Sequence, residues 1–171
     1  WPALSALERI AACTRLCDAL ERRLDAMNRA WAFESGATIA HGEMINSGAG
    51  VSIWRSALAN AGRIIYEEDR GDVLIVREPI GTVLGIMTYN GPIVLMGMKI
   101  IPALLAGCTV IVKHAPESPL TSRLIAEAVR EAPWRPLNPA RRKAITLALA
   151  RRAAHRWLGL VDPESALLGY D

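Results

Sequence analysis

One phenylalanine, three cysteines and three histidines among 171 residues exclude several kinds of protein. Cys13, Cys17 and Cys108 form no Cys-x-x-Cys pair and the histidines are scattered, so a zinc site or a disulfide framework lacks its residues. Thiols used this way fit a reducing compartment, and a cytoplasmic location is expected. No uninterrupted apolar run reaches the length of a membrane span: residues 93–106 are broken by Lys99 and Pro102. No signal-peptide pattern is visible, and a chain opening at Trp1 reads as processed or truncated. Charge of one sign is also lacking. Lys and Arg total 20 against 17 Asp and Glu, a net +3, so the whole chain does not announce a nucleic-acid binder. Aromatics make up 5% of a composition that is 51% hydrophobic. Such an aliphatic chain suits an α/β core of one domain with an appended segment.

What is present is most informative between Arg77 and Glu131. Residues 82–87, Thr-Val-Leu-Gly-Ile-Met, are too short for a buried helix and β-branched enough for an inner parallel strand. They lead into Tyr89-Asn90-Gly91-Pro92, where Gly91 allows a tight turn and Pro92 suits the first turn of a helix over 93–106. Gly107 stops that helix. Residues 109–113, Thr-Val-Ile-Val-Lys, follow as a second strand, and Ser118-Pro119 set the N-cap and first position of a helix to about Glu131. Strand, crossover helix and strand make a parallel unit, whose ligands sit beyond the carboxyl ends of its strands. Asn90 and Lys113 fall there.

These segments, in this order, resemble the NAD(P)-dependent aldehyde dehydrogenase superfamily. The resemblance is carried by Arg-Glu-Pro-Ile-Gly-Thr-Val (77–83), Thr-Tyr-Asn-Gly-Pro (88–92), Lys-Ile-Ile-Pro-Ala-Leu-Leu-Ala-Gly (99–107), Thr-Val-Ile-Val-Lys (109–113) and Ser-Pro-Leu-Thr (118–121). It extends more weakly through an Ala-, Leu- and Arg-rich N-terminal helix, a turn at Glu34-Ser35-Gly36 and a helical stretch near 53–65, covering about residues 3–132. It implies NAD or NADP as cofactor and a small-molecule aldehyde as substrate. Asn90 resembles the asparagine whose amide donates to the oxyanion formed as a thiolate attacks the aldehyde. Lys113 resembles the lysine that binds the adenosine ribose or a 2′-phosphate. Ile86, Met87, Thr88 and Tyr89 would line the nicotinamide side, with Tyr89 where tryptophan is commoner. Taken without the family, Asn-Gly is an ordinary turn pair, and a lysine ending a strand is ordinarily a solvated terminus.

The chain also departs from the family pattern. Pro116 stands three residues after Lys113, where many members carry a ribose-binding glutamate, and Glu117 comes one place later, which leaves NAD against NADP open. His114 replaces a usual proline and reads as a loop residue. The nucleophilic cysteine, the glutamate base and the Gly-rich continuation that the family's chemistry needs have no counterpart here. Cys13 and Cys17, spaced i, i+4 on one helix face, and Cys108, between a helix stop and a strand, read as packing residues. By itself the chain is expected to be inactive.

After Ala132 the sequence changes character. From Arg130 to Arg156 there are eight basic residues and one acidic one, Glu131, a balance of +7. Asn138-Pro139 can start a basic amphipathic helix over 140–157, read chiefly as a packed helix with a solvated Arg face. Residues 3–11 and 136–144 echo each other as capped, Ala- and Arg-rich helix starts.

The expected fold class is α/β: a partial Rossmann-like parallel βαβα unit, preceded by N-terminal helices and followed by the basic helix. The expected division is 1–76 (helical segment and extended arm), 77–132 (partial dinucleotide-binding unit) and 133–171 (Arg-rich segment). Two parallel strands leave apolar faces and edges to cover, so a homo-oligomer or a partner subunit is expected, with no nucleic acid and no membrane span. The activity implied by the resemblance is oxidation of an aldehyde to an acid once the missing catalytic residues are supplied. The alternative is a non-catalytic binding or assembly module using the basic helix.

Overall fold

A computed structural model describes residues 1–132, which belong to one compact unit. The expected basic helix and the remainder of 133–171 lie outside the described residues.

Helix α1 (Ala6–Glu21) starts at a capping box: the Glu8 N–H donates to the Ser5 hydroxyl, and the Ser5 N–H donates to the Glu8 carboxylate. Its positions 13, 16, 17 and 20 recur on one face and are buried, which puts Cys13 and Cys17 in the core as packing residues. Helix α2 (Leu24–Ser35) ends at Gly36, whose φ of +72° is the left-handed conformation that favours glycine. A helical run then passes through α3 (Ile39–Gly42), a π-helical stretch (Glu43–Gly50) and α4 (Val51–Asn60). The Val51 N–H reaches back five residues to the Asn46 carbonyl, the widened spacing of a π turn. A short 3₁₀ turn, Ala61–Arg63, ends the run.

Strands β1 (Glu67–Asp69) and β2 (Leu74–Val76) form an antiparallel hairpin, so the arm expected at 72–77 folds back on the residues before it. Strands β3 (Thr82–Ile86) and β4 (Thr109–Lys113) are parallel and in register from Thr82 opposite Thr109 to Ile86 opposite Lys113. The crossover between them is helical, but not the single helix expected. Helix α5 (Pro92–Leu95) gives way to a π turn (Met96–Ile100) before α6 (Ile101–Leu105). Pro102 has no N–H to return to the preceding turn, and the Ile101 N–H bonds the Met96 carbonyl five residues back. Gly107, at φ +94°, ends the crossover as expected. Helix α7 (Pro119–Glu131) completes an α/β fold: a partial Rossmann-like parallel unit preceded by helices.

The crossover is the centre of the core. Ile93, Met96, Ile100, Ile101, Leu104 and Leu105 are buried with Leu16 and Leu20 of α1, Trp54 of α4 and Ile125 of α7. One guanidinium enters this region. Arg9 donates to the Leu105 carbonyl (3.1 Å) and the Leu4 carbonyl (2.6 Å), lies 5.2 Å from the centre of the Tyr66 ring, and so places a cation at the carbonyl end of α6. Tyr66 donates its hydroxyl to the same Leu105 carbonyl at 2.8 Å. On the outside, Arg55 bridges Asp18 (2.7 Å) and Glu21 (2.6 Å), tying α4 to α1.

Gly97 lies on the indole of Trp54, where an added Cβ would stand 2.3 Å from Cδ1. Gly97→Ala is therefore expected to cost about 1–3 kcal/mol, the usual penalty of overpacking, read as a lower denaturant midpoint by circular dichroism. Gly62→Ala, whose Cβ would meet nothing within 4 Å, should stay within about 0.5 kcal/mol of the parent. Equal midpoints for the two variants would contradict the contact.

Candidate functional site

The carboxyl ends of β3 and β4 meet in one edge. The Met87 N–H donates to the Lys113 carbonyl at 2.9 Å, so the chain leaves β3 beside the end of β4. Ile86 and Thr88 are exposed there, Tyr89 is 51% exposed, and Met87 turns its side chain into the core. Asn90 follows, exposed, its side chain engaged by no hydrogen bond within the described residues. A carboxamide in that state has both N–H donors available. Gly91 is extended (φ −165°), Pro92 opens α5, and the Leu95 N–H closes the first helical turn on the Gly91 carbonyl.

Lys113 is exposed at the end of β4, its ammonium 3.4 Å from the carbonyl of its neighbour His114 and paired with no carboxylate among the described residues. Such a cation fits a hydroxyl or a phosphate. His114 is half-buried and its Nδ1 has no partner among the described residues; burial disfavours the imidazolium and lowers its pKa. Lys99, to which sequence reasoning assigned no role, also reaches this edge: its ammonium donates to the Ile86 carbonyl at 3.3 Å. A single cation inside an otherwise apolar helix was the available signal.

The segment beyond Lys113 is anchored from far away in sequence. Ser118 occupies the N-cap position of α7, yet its hydroxyl makes no cap bond and donates instead to the Ala115 carbonyl at 3.4 Å. Glu34, at the end of α2, caps the helix in its place. Its carboxylate accepts the Leu120 N–H, the Thr121 N–H (3.2 Å) and the Thr121 hydroxyl (2.5 Å). Negative charge at a helix N-terminus satisfies donors that the helix leaves open.

None of the three cysteines belongs to the edge by burial or chemistry. All are buried, and burial, the largest cause in each case, pushes the thiols of Cys13 and Cys17 up to about 12. No group of acidic, histidine or cysteine side chains among the described residues could hold a metal ion. No helix among them is long and apolar enough to cross a membrane.

A parallel strand pair with a helical crossover is the construction of a partial Rossmann-like unit; an exposed carboxamide follows one of its strands, and an ammonium bonded to a neighbouring carbonyl ends the other. The comparisons with known proteins specify it further. The sequence pattern of the aldehyde dehydrogenase family matches residues 1–147, continuing past Ala132. The geranial dehydrogenase of Castellaniella defragrans is 34% identical over 137 residues, which are 77% of this chain and 29% of the relative. The aminoacetaldehyde dehydrogenase of Pseudomonas aeruginosa is 32% identical over 139 residues, 77% of this chain and 27% of its own length. Among solved structures, an aldehyde dehydrogenase from Bartonella henselae superposes with a TM-score of 0.73 at 29% identity, over 78% of this chain and 29% of that one. A mutant of aldehyde dehydrogenase C from Pseudomonas syringae, in complex with NAD+ and octanal, gives 0.68 at 29% identity over 78% and 28%. The chain belongs to the aldehyde dehydrogenase family. It spans less than a third of the length of the curated relatives named here.

Two outcomes test this geometry. Glu34→Ala should destabilise the protein by about 1–2 kcal/mol, the range for losing a helix cap, and speed amide exchange at Leu120 and Thr121 while sparing α1. Exchange unchanged at those two amides would show that Glu34 is not the cap. With a thiol-specific disulfide reagent near pH 8, Cys13 and Cys17 should stay unmodified in the folded chain and react on unfolding, since a thiol titrating near 12 is only about one part in ten thousand thiolate there. Rapid labelling of either in the folded chain would contradict its burial.

Proposed function

We propose that this chain supplies the oxyanion-side and cofactor-side residues of an NAD(P)-dependent aldehyde dehydrogenase, which oxidises an aldehyde to a carboxylic acid. The observation that carries the reading is that Asn90 and Lys113, in a member of this family, stand at the carboxyl edge of one parallel strand pair with their polar groups uncommitted to acid or carboxamide partners. The complex of the Pseudomonas syringae relative with NAD+ and octanal supports the same pairing of cofactor and substrate class.

In this reading the aldehyde carbonyl lies beside Asn90. As a thiolate adds to the carbon, negative charge collects on the oxygen, and the Asn90 Nδ2–H donates to it. The carboxamide is exposed to the edge and has no partner among the described residues to give up, so little reorganisation is required. NAD or NADP, when bound, accepts the hydride lost by the carbon as the thioester forms. Lys113 donates to the adenosine ribose hydroxyls or a 2′-phosphate. Ile86, Thr88 and Tyr89, with the backbone of Met87, flank the nicotinamide side. The attacking cysteine and the base that activates water for hydrolysis come from residues other than Cys13, Cys17 and Cys108.

Leu84, 38% exposed, and Ile86, 55% exposed, leave apolar surface on β3, and β3 and β4 pair with no further strand among the described residues. Parallel sheets ordinarily bury both faces. This supports a homo-oligomer or a partner segment, and the assembly is proposed to be cytoplasmic.

The test is the intact mass of the purified protein, followed on the same sample by reduction of NAD and NADP with a simple aldehyde. In an assembly that turns over, Asn90→Ala should lower kcat by about 10²–10³, the loss typical of one oxyanion donor. Lys113→Ala should raise the cofactor KM with a smaller change in kcat. Unchanged kcat in Asn90→Ala would remove the oxyanion role. A mass matching these residues, with no turnover, would favour a non-catalytic binding or assembly module using the basic segment at 133–171.

A further inference from the structure

The turn that carries Asn90 has few local means of holding its shape. Among the described residues Asn90 is exposed and makes no side-chain bond, Gly91 has no side chain, and Pro92 has no N–H. Support comes from elsewhere in the chain. The indole N–H of Trp31, on α2, donates to the Tyr89 carbonyl at 3.1 Å across 58 residues. The indole N–H of Trp54, on α4, donates to the Ile93 carbonyl at 2.9 Å across 39 residues. These carbonyls flank Asn90-Gly91-Pro92 on its two sides. We infer that Trp31 and Trp54 are positioning residues that clamp the Asn90 turn through a pair of indole hydrogen bonds; the inference rests on the proposed role of Asn90.

Each indole is itself fixed. Trp31 is 3% exposed and stacks on His41, with ring centres 5.8 Å apart and planes 13° from parallel. Gly42 lies beneath the same ring, where a Cβ would come 3.4 Å from Cε3. Trp54 is fully buried, and Gly97 admits its edge by having no Cβ. Buried indole N–H groups require an acceptor. What distinguishes these two is that their acceptors bracket one exposed carboxamide, and that both donors come from the N-terminal helices. An oxyanion donor is effective only when its direction is set before the charge develops.

A purely structural role for the two rings would lower stability without touching the turn, so the decisive readout is the turn. In the ¹⁵N-labelled 171-residue chain, with Asn90 assigned through Asn90→Asp, Trp31→Phe removes the N–H and keeps an aromatic ring. The expected result is a shift of the Asn90 carboxamide resonances and roughly tenfold faster exchange of the Leu95 amide, which bonds the Gly91 carbonyl at 3.0 Å, the factor that accompanies loss of one hydrogen bond of ordinary net strength. Ile125→Val, on α7, is the control: it lowers stability and should leave both signals in place. Trp54→Phe is the second variant, expected to give the same response. Exchange of the two indole protons in the parent chain gives a measurement free of folding defects: protection supports the clamp, and rates equal to those of the unfolded chain overturn it. Asn90 and Leu95 signals that do not respond to Trp31→Phe also overturn it, leaving the oxyanion reading standing. A turn that responds, while Asn90→Ala leaves aldehyde turnover unchanged, keeps the clamp and removes the oxyanion role.

Discussion

Trp54 and Gly97 approach so closely that the glycine has no room for a side chain, and the described residues are arranged around that contact. The indole lies on the π turn of the crossover, bonds the carbonyl of Ile93 and shares a core with α1. Ile93 in turn occupies the space left by Gly50, where a Cβ would come within 2.8 Å of its Cγ2. Close packing of this kind transmits position: where α4 sits fixes where the crossover sits, and with it both strand ends. The N-terminal helices are thus the other wall of the half-fold that carries Asn90 and Lys113.

Polar groups inside this packing follow the same logic. Arg9 is almost wholly buried, yet its charge lies at the carbonyl end of α6 and against an aromatic ring, and two of its N–H groups have carbonyl acceptors. An unpaired buried guanidinium would be costly; one at a helix C-terminus satisfies acceptors that the helix leaves open. Glu34 does the converse at the start of α7. Asn28, Asn46 and Ser47 link α2 to the π-helical stretch by side-chain bonds of 3.2 and 2.9 Å. Each of these polar contacts joins a helix of the N-terminal part to a distant element or to its neighbour in space, so the polar bonds and the apolar core hold the same interfaces.

The carboxyl edge of β3 and β4 is exposed where the core is closed. Asn90 and Lys113 are exposed at the strand ends, Lys99 reaches them from the π turn of the crossover through the Ile86 carbonyl, and exposed apolar surface of Leu84 and Ile86 lies along β3. Site and uncovered sheet face are contiguous along β3. Whatever covers that face therefore also approaches Asn90 and Lys113, which ties completion of the fold to the site proposed above.

The sequence by itself determined the elements whose signals are local. Short apolar runs rich in β-branched residues marked β3 and β4, Gly107 marked the helix stop, Ser118-Pro119 the start of α7, and the run of motifs from Arg77 to Thr121 the family. The exposed position of Asn90 and Lys113 at the strand ends was legible for the same reason, since a strand end and the turn after it are read within a few residues. Tertiary structure decided what depends on groups far apart in the chain. Pro102 breaks the expected continuous helix into a π turn that seats Trp54, the arm at 72–77 becomes half of a hairpin, Glu34 displaces Ser118 as the cap of α7 across 86 residues, and two tryptophans reach the Asn90 turn. No window of sequence contains both partners of these contacts. The physical reason is that a side chain's periodicity can show that it is buried, whereas the acceptor its polar end will meet is chosen only when the helices pack.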